Sequence, residues 1–383
     1  MHQAGRLTDV RWLVPVALVA LLAAGGAAWI RSDAGSPGSG TGGPVCALPG
    51  GAGGGGTTLS AAVVSEASDL ALPTRLLVHD PWVFVLDVVS DSVLHVFRLD
   101  DGALVQSLGR RGKGPGEFWS AWSISFDGQF GDAWIYDISL ARLTEIVVPR
   151  DDTRPVYAGR SIQLAAQGLA TGAAWLDSTR LLTPGFFRDA RLAVLDGAGL
   201  RVGGIGQRLP HGSDTPPQVS QARIALHPNG HLAVLANRHL GSIELVDLDR
   251  AMTTTVQGPV TLPHGSAIPG LDDIAYVDVT TTSTSIFGLF SGRSVSTFGQ
   301  RASYGDCIHV FDWNGTFEGG LRLDGDVIAI AVTEDGSAIY ALRHEPRPAL
   351  VRFDLPVVRV ARQSPLLRPG HLQRHHPASE PGS

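Results

Sequence analysis

The feature that most constrains the fold of this chain is a short apolar stretch that ends in an acidic or polar turn and recurs six times. The recurring stretches are centred on Phe97, Ile146, Leu195, Val246, Phe311 and Phe353. Successive centres are 49, 49, 51, 65 and 42 residues apart. Repeats of about 40 to 50 residues built from short strands are typical of β-propellers, in which each repeat forms one four-stranded blade. The spacing therefore predicts six blades.

Two other apolar stretches precede each of these at consistent offsets, so the sequence predicts three strands in every repeat. The predicted first strands are residues 76–80, 122–128, 173–178, 223–230, 274–280 and 328–336. The predicted second strands are residues 82–88, 133–138, 180–187, 231–237, 285–292 and 338–344. Asn314-Gly315, Asp324-Gly325 and Asp335-Gly336 favour two-residue hairpin turns, which need positive φ.

An isolated four-stranded blade exposes both faces and two edge strands, so it is not stable in water by itself. Six blades packed around an axis bury their apolar faces against one another, and a strand from the other end of the chain closes the last blade. Residues 59–65 and 357–361 are both candidates for this strand, and we favour the amino-terminal one. We therefore expect an all-β, six-bladed β-propeller over residues 57–362.

The amino terminus is predicted to enter a membrane. Residues 12–30 are apolar and uncharged, and they lie between Arg11 and Arg31. At 1.5 Å per residue, a helix of this length is about 28 Å long, which spans a bilayer core. Residues 1–31 are therefore expected to form a cytoplasmic tip and a single N-terminal transmembrane helix, or a cleaved signal segment. The basic residues before the apolar run favour a propeller on the periplasmic or extracytoplasmic side.

Two regions of biased composition flank the repeats. Residues 32–56 are rich in Gly, Ser and Pro, which predicts a flexible tether. Residues 363–383 have no periodicity and several prolines, which predicts a disordered tail. The tail contains His371, His375 and His376, but histidines on a disordered segment do not by themselves indicate a metal site.

The chain has two cysteines, Cys46 in the tether and Cys307 in a predicted strand. A disulfide between them would be possible in an oxidising compartment and would tie the tether to the propeller. The sequence favours the alternative that Cys307 is a small buried hydrophobic residue.

Composition argues against several classes of function. The formal net charge is -6, and the chain contains no basic run of the kind that phosphate backbones need, so we expect no nucleic-acid partner. The common motifs of serine hydrolases, zinc proteases and dithiol oxidoreductases are absent from the sequence. We therefore predict no catalytic residue and no cofactor, and we favour a protein that is not an enzyme.

Two segments carry a resemblance to a known family. The loop GRRGKGPGEF at 109–118 is similar to the turn that ends the first blade in TolB-like and NHL-type six-bladed β-propellers of bacterial envelopes. Residues 304–342 resemble the fifth and sixth blades of the same TolB-like group. The resemblance covers residues 57–356. It implies a tethered or secreted periplasmic propeller that binds a peptide, a protein or a small ligand.

In a propeller, the loops from second to third strands and from each outer strand to the next blade emerge on one face, at the mouth of the central channel. Here these loops are rich in basic side chains, which suit a carboxylate, a phosphate or an acidic protein segment. The predicted ligand-binding residues are Arg110, Arg111, Lys113, Glu117, Arg188, Arg238, His239, Arg293, Arg343 and His344. The expected partner is an envelope protein or a small anionic ligand.

For residues 112–118 we favour a structural role, in which the glycines permit unusual backbone angles and Phe118 fills the space between blades. An alternative function is a metal-dependent propeller hydrolase or lactonase with Ca²⁺ in the channel. Asp87, Asp137 and Asn237 lie at the ends of second strands and could supply oxygen ligands. Three donors are fewer than Ca²⁺ prefers, so we favour strand capping for these residues and predict no metal site.

Overall fold

The computed structural model of the protein describes Cys46 and residues 58–66, 70–127, 131–148, 156–207, 217–262 and 271–356. Four predicted features lie outside these residues: the anchor (1–31), the tether apart from Cys46, the alternative closing strand at 357–361 and the tail at 363–383, which the sequence predicts to be disordered. No helix within the described ranges is long and apolar enough to cross a membrane.

Two short strands, β1 (Thr58–Leu59) and β2 (Ala62–Ser65), precede the first blade. From the channel outward, the strands of blade 1 are β3 (Pro73–His79), β4 (Trp82–Asp87), β5 (Ser92–Arg98) and β6 (Leu104–Arg110). Those of blade 2 are β7 (Ala121–Phe126), β8 (Ala133–Asp137), β9 (Arg142–Val147) and β10 (Tyr157–Gln163). Blade 3 has an inner strand in two pieces, and its strands are β11 (Leu169–Ala170), β12 (Ala174–Trp175), β13 (Arg180–Phe186), β14 (Leu192–Asp196) and β15 (Arg201–Ile205).

The second half of the ring repeats this order. The strands of blade 4 are β16 (Ala222–Leu226), β17 (Leu232–Asn237), β18 (Ser242–Asp247) and β19 (Met252–Gln257). Those of blade 5 are β20 (Asp273–Thr281), β21 (Ser285–Ser294), β22 (Gly305–Asp312) and β23 (Phe317–Val327). Those of blade 6 are β24 (Ala329–Val332), β25 (Ala338–Arg343) and β26 (Ala349–Asp354). The described helical segments are short, at Pro217–Ser220, Val295–Phe298 and Gly299–Ser303.

The amino-terminal strand closes the ring, as the sequence predicts. β2 pairs antiparallel with β26 and becomes the outer strand of blade 6, with Ala62 opposite Arg352. β1 instead adds in parallel to β23 as a fifth strand of blade 5. The two strands that precede blade 1 are therefore hydrogen-bonded to blades 5 and 6.

The hydrophobic core consists of six clusters, one at each interface between neighbouring blades. The interface between blades 1 and 6, for example, packs Val83, Val85 and Phe97 against Tyr340 and Leu350. Full burial of an aliphatic or aromatic side chain stabilises the folded state by about 1.5–3 kcal/mol, so each interface is a substantial source of stability. Each blade therefore packs apolar side chains against both of its neighbours.

The two cysteines form a disulfide, with a Cα–Cα distance of 5.7 Å between Cys46 and Cys307. The preference for an unpaired Cys307 is therefore wrong, although its predicted burial is correct, since its exposure is 0%. Burial alone could not reveal the bond, because its partner lies far away along the chain in a glycine-rich segment.

Two of the three predicted hairpin turns are confirmed. Gly315 has φ 88° and Gly336 has φ 69°, each in a tight turn between strands. The prediction for Asp324-Gly325 is wrong, because both residues lie inside β23. This strand continues past the edge of blade 5 and leads directly into the inner strand of blade 6.

Candidate functional site

Strand direction alternates within each blade, so the connections that follow the second and fourth strands emerge at one end of the channel. We call this end the loop face. All ten predicted ligand-binding residues lie in these connections or at the strand ends that enter them. The structure thus gathers the predicted residues on one face, but it distributes them over five blades rather than in one cluster.

The loop after β6 is held together by Glu117. Its carboxylate accepts a hydrogen bond of 2.8 Å from the Gly114 N–H and pairs with Arg110 at 2.6 Å. These two contacts lower the pKa of Glu117. Phe118 is 1% exposed in the core between blades 1 and 2, as the structural interpretation of this loop predicts. Arg111 and Lys113 remain exposed on the outside of the loop.

Exposed aromatic side chains stand at two places on the loop face, and a cation covers each. Trp119 is 46% exposed, and Nζ of Lys113 lies 5.1 Å from its ring centroid. Phe298 is also 46% exposed, and the Arg293 guanidinium lies 5.6 Å from its ring. Trp119 precedes blade 2 and Phe298 belongs to blade 5, so the two sites flank the channel mouth from opposite sides of the ring.

Two of the predicted arginines are neutralised by carboxylates. Arg293 donates to both oxygens of Asp326, at 2.8 and 2.6 Å, and Arg343 donates to Asp324 at 2.7 Å. Burial opposes the charge of Arg293, but the Asp326 carboxylate dominates and raises the pKa of this arginine. These side chains act as partners in ion pairs and are not free cations.

The same part of the loop face contains a polar cavity of about 260 Å³ between blades 5 and 6. Its lining residues are Tyr304, Asp324, Gly325, Asp326, Arg343, His344 and Glu345. The imidazole of His344 is held at 3.1 Å from the Tyr304 hydroxyl and at 2.7 Å from the Pro73 carbonyl. Burial lowers the pKa of His344, so this imidazole is neutral near pH 7.

Of the remaining predicted residues, Arg188 is exposed in the connection after β13, whereas Arg238 is half-buried and His239 is buried. Nδ1 of His239 lies 3.1 Å from the Asp273 carbonyl. Burial, together with the neighbouring Arg238, lowers the pKa of His239 to about 4. One guanidinium nitrogen of Arg238 donates to Oγ of Ser303 at 2.5 Å.

Sequence reasoning missed the charged residues of the inner strands. Arg75 lies near the start of β3 in blade 1, and Asp278 lies in β20 of blade 5, with blade 6 between these two blades. Burial raises the pKa of Asp278 to about 6, and the charge of Arg75 opposes that increase. Burial also lowers the pKa of Arg75. The signal available in the sequence was a charged residue inside an otherwise apolar first strand.

A cation–π contact joins two inner strands: it involves the second residue of β7 in blade 2 and the second residue of β16 in blade 4. Arg223 of β16 lies over the ring of Trp122 of β7, at 5.5 Å. These positions correspond in the repeat, so aligning the six first strands by register would have selected them.

The candidate calcium ligands have structural roles. Asp87 accepts hydrogen bonds from the backbone N–H groups of Ala71 and Leu72, before β3, and from those of Val89 and Ser90 after β4. A carboxylate with four backbone donors clamps the entry and exit of its blade.

Asp137 forms the same clamp in blade 2, where it accepts from Trp119, Ser120 and Leu140. Asn237 accepts from Arg191 and donates to Ser242. The capping interpretation is thus confirmed for both aspartates. Within the residues described above, no group of three or more His, Cys, Asp or Glu side chains could hold a metal ion.

Comparison with known proteins agrees with the architecture. The model of the family described as "TolB-like 6-blade propeller-like" matches residues 57–335. No curated protein sequence matches the chain. Among solved structures, a candidate exported protein of Bacteroides fragilis has a TM-score of 0.51 at 15% identity, over 77% of this chain and 94% of that chain.

Two further structures are less similar. U3-55K has a TM-score of 0.46 at 11% identity, over 79% of this chain and 100% of that one. The hydrazine synthase of Kuenenia stuttgartiensis has a TM-score of 0.45 at 9% identity, over 74% and 96% of the two chains. The likeness of the Bacteroides protein supports the fold, and function has to be argued from the site itself.

Proposed function

The chain belongs to the TolB-like six-bladed β-propeller family, and from this premise we propose that it is a membrane-anchored, extracytoplasmic binding protein whose loop face binds an acidic segment of an envelope protein. The observation that carries the proposal is the pair of exposed aromatic rings at Trp119 and Phe298, with the exposed Lys113 beside Trp119. Trp and Arg are the residue types most enriched where binding energy concentrates in protein interfaces.

Charge supports an acidic partner. The exposed basic side chains Arg111 and Lys113 belong to the same loop as Trp119, and Arg188 is exposed on the same face after β13, although the whole chain has a net charge of -6. Local positive charge on an acidic protein attracts an acidic segment by electrostatic steering. Exposed apolar side chains on the same face, Val89 at 51% and Val295 at 43%, add surface that a bound segment would cover.

Binding of synthetic peptides tests this proposal. Fluorescent acidic, neutral and basic peptides of equal length, each with one aromatic residue, are titrated into the propeller at low and at physiological salt. We expect the acidic peptide to bind best and to weaken as salt increases, since charge supplies part of the attraction. Equal binding of the three peptides, or no binding by any, would contradict the proposal.

Matched variants locate the binding face. Trp119→Ala with Phe298→Ala removes both rings, and we expect acidic-peptide affinity to decrease by about 10-fold or more, because truncation of an interface anchor typically costs 2 kcal/mol or more. Met252→Ala is the control, since Met252 is 57% exposed on the outer strand of blade 4, away from the loop face. Equal loss in the control and the double variant would place binding elsewhere.

The anchored location rests on the apolar run at residues 12–30. Cell fractionation of the full chain and of a chain that starts at residue 32 behind a cleavable export signal tests it. We expect the full chain in the membrane fraction and the shortened chain in the soluble extracytoplasmic fraction. Recovery of the full chain as a shortened soluble protein would instead show that the segment is a cleaved signal.

A further inference from the structure

We propose that the polar cavity between blades 5 and 6 binds a small neutral polyol, such as a monosaccharide. The cavity has a volume of about 260 Å³ and lies on the loop face, but it requires no acidic protein partner. Such a volume holds several water molecules and is slightly below the range of about 300–1,000 Å³ that is usual for drug-sized ligands. The size therefore suits one small organic molecule.

Regular elements of the fold hold the walls of the cavity in place. Asp324 and Asp326 belong to β23 of blade 5, and Arg343 ends β25 of blade 6. Asp324 is held at both oxygens, because Oδ1 accepts from Arg343 at 2.7 Å and Oδ2 accepts from the Ala61 N–H at 2.8 Å. Ala61 lies between the two strands that precede blade 1. Closure of the ring therefore also fixes this wall, and a ligand would meet polar groups that are already in position.

Tyr304 is the most buried residue of the lining, and its hydroxyl contacts His344. Tyr304 is 6% exposed, and burial raises its pKa to about 12, so the phenol keeps its proton. The Pro73 carbonyl can only accept, so Nε2 of the neutral His344 carries a proton and Nδ1 accepts from the Tyr304 hydroxyl. The phenolic oxygen can therefore accept a hydrogen bond from a ligand hydroxyl.

The charged groups in and around the cavity wall balance one another. Ion pairs join four arginines to four carboxylates in this region, and the pairs are Arg293–Asp306, Arg293–Asp326, Arg301–Glu345, Arg322–Asp306 and Arg343–Asp324. These groups together carry no net charge. A charged ligand would lose its hydration here without gaining an unmatched counter-charge, whereas a neutral ligand avoids this cost.

Hydroxyl groups match the hydrogen-bonding groups of the wall. A carboxylate has about four acceptor sites, and the hydrogen bonds of Asp324 and Asp326 described above use one site on each oxygen. The Arg343 guanidinium supplies donors and lies against Gly325, where an added Cβ atom would stand 3.1 Å from Nη2. Each hydroxyl of a sugar both donates and accepts, so neighbouring hydroxyls can bind a carboxylate and the guanidinium together. An apolar ligand would leave these groups without hydrogen bonds.

Saturation-transfer-difference NMR with small molecules tests this proposal. The neutral probes are D-glucose, D-galactose, D-mannose and myo-inositol, and the comparison probes are D-glucuronate, ethanolamine and alanine, all at pH 7 and constant ionic strength. We expect saturable binding of at least one neutral probe, with a dissociation constant on the order of 1 mM for a ligand of about twelve non-hydrogen atoms. Absence of saturable binding by every neutral probe, or tighter binding of any comparison probe, would overturn the proposal.

Matched arginine variants locate the site. Arg343→Gln should weaken binding of the best neutral probe by about 10-fold or more, since hydrogen bonds from a charged donor are stronger than neutral ones. Arg352→Gln is the control, because Arg352 lies in the same blade and pairs with Asp354 at 2.9 Å but does not line the cavity. Equal losses in the two variants would place binding outside the cavity and refute the assignment.

Two further variants keep the test decisive if Arg343→Gln fails to fold. Tyr304→Phe removes the phenolic oxygen but keeps the ring, and it should weaken binding by about 5-fold, as expected for the loss of one neutral hydrogen bond. Gly325→Leu adds a side chain to the lining without changing any charge and should abolish binding. Wild-type affinity in both variants would contradict the proposal. Trp119→Ala should leave sugar binding intact, so failure of peptide binding and failure of this site give different results.

Discussion

Buried charged side chains have distinct consequences at the scale of single residues. Between blades 3 and 4, Arg191 and Glu244 form an ion pair with side chains 1% and 2% exposed. Nε of Arg191 donates to both oxygens of Glu244, at 2.9 and 3.1 Å, and its other nitrogens donate to Ser220 and Asn237. The Glu244 carboxylate thus matches the charge of this buried arginine.

Removal of one member of this pair should be strongly destabilising. Glu244→Ala leaves the Arg191 guanidinium buried and unpaired, and we expect a loss of about 3–5 kcal/mol in the free energy of unfolding, measured by urea denaturation. The matched control is Arg250→Ala, which breaks the pair of Arg250 with Asp247, where the arginine is 78% exposed. That change should cost only about 0–1 kcal/mol. Similar losses in both variants would contradict the analysis of burial.

Asp278 should make stability depend on pH. Its pKa is raised from 3.8 to about 6 in the folded state, so the folded protein binds a proton more tightly than the unfolded chain does. Stability from this group is therefore greatest below pH 4 and decreases as pH rises from about 4 to about 6. Asp278→Asn should consequently stabilise the propeller at pH 7, by about 1–3 kcal/mol.

Thermal unfolding of wild type and Asp278→Asn at pH 4.5 and pH 7 measures this difference. The gain in the variant should be larger at pH 7, because the wild-type carboxylate is charged only there. A variant that is destabilised equally at both pH values would show that the carboxylate is favourably solvated or paired in the folded state.

Individual strands and their connections were predictable to different degrees. Each of the six recurring apolar stretches lies in a third strand, and β2 closes the ring as expected. The divided inner strand of blade 3 and the extension of β23 through Asp324-Gly325 were not predicted. Local turn preference favours a hairpin at Asp-Gly, but here the dipeptide lies in a register irregularity of the β22–β23 ladder, between the pairs Cys307–Arg322 and Gly305–Val327.

The disulfide joins Cys46, which lies in the segment that the sequence predicts to be a flexible tether, to Cys307 in β22 of blade 5. Its two cysteines are 261 residues apart, so the bond restricts a very long loop in the unfolded chain. Replacing both cysteines by alanine should lower the free energy of unfolding by about 2–5 kcal/mol, as measured by denaturant titration. Reduction of the wild-type protein should reproduce that loss, whereas the reductant should leave the double variant unchanged.

At the scale of the whole molecule, stability and function depend on different parts of the same ring. Six apolar interfaces hold the blades together, and their alternating strand pattern made the architecture predictable from the sequence. The site was less predictable, because its contacts join residues that are far apart in the sequence. Nothing in the local sequence indicates that Arg293 and Arg343 are neutralised by aspartates of β23.

The central claim is that this propeller binds its partner through the loop face. Amide hydrogen exchange, followed by mass spectrometry with and without a saturating acidic peptide, tests it most directly. We expect new protection in the segments around Trp119 and Phe298 and little change in the turns at the opposite end of the channel. Protection confined to those opposite turns, or to the outer strands of the blades, would contradict the claim.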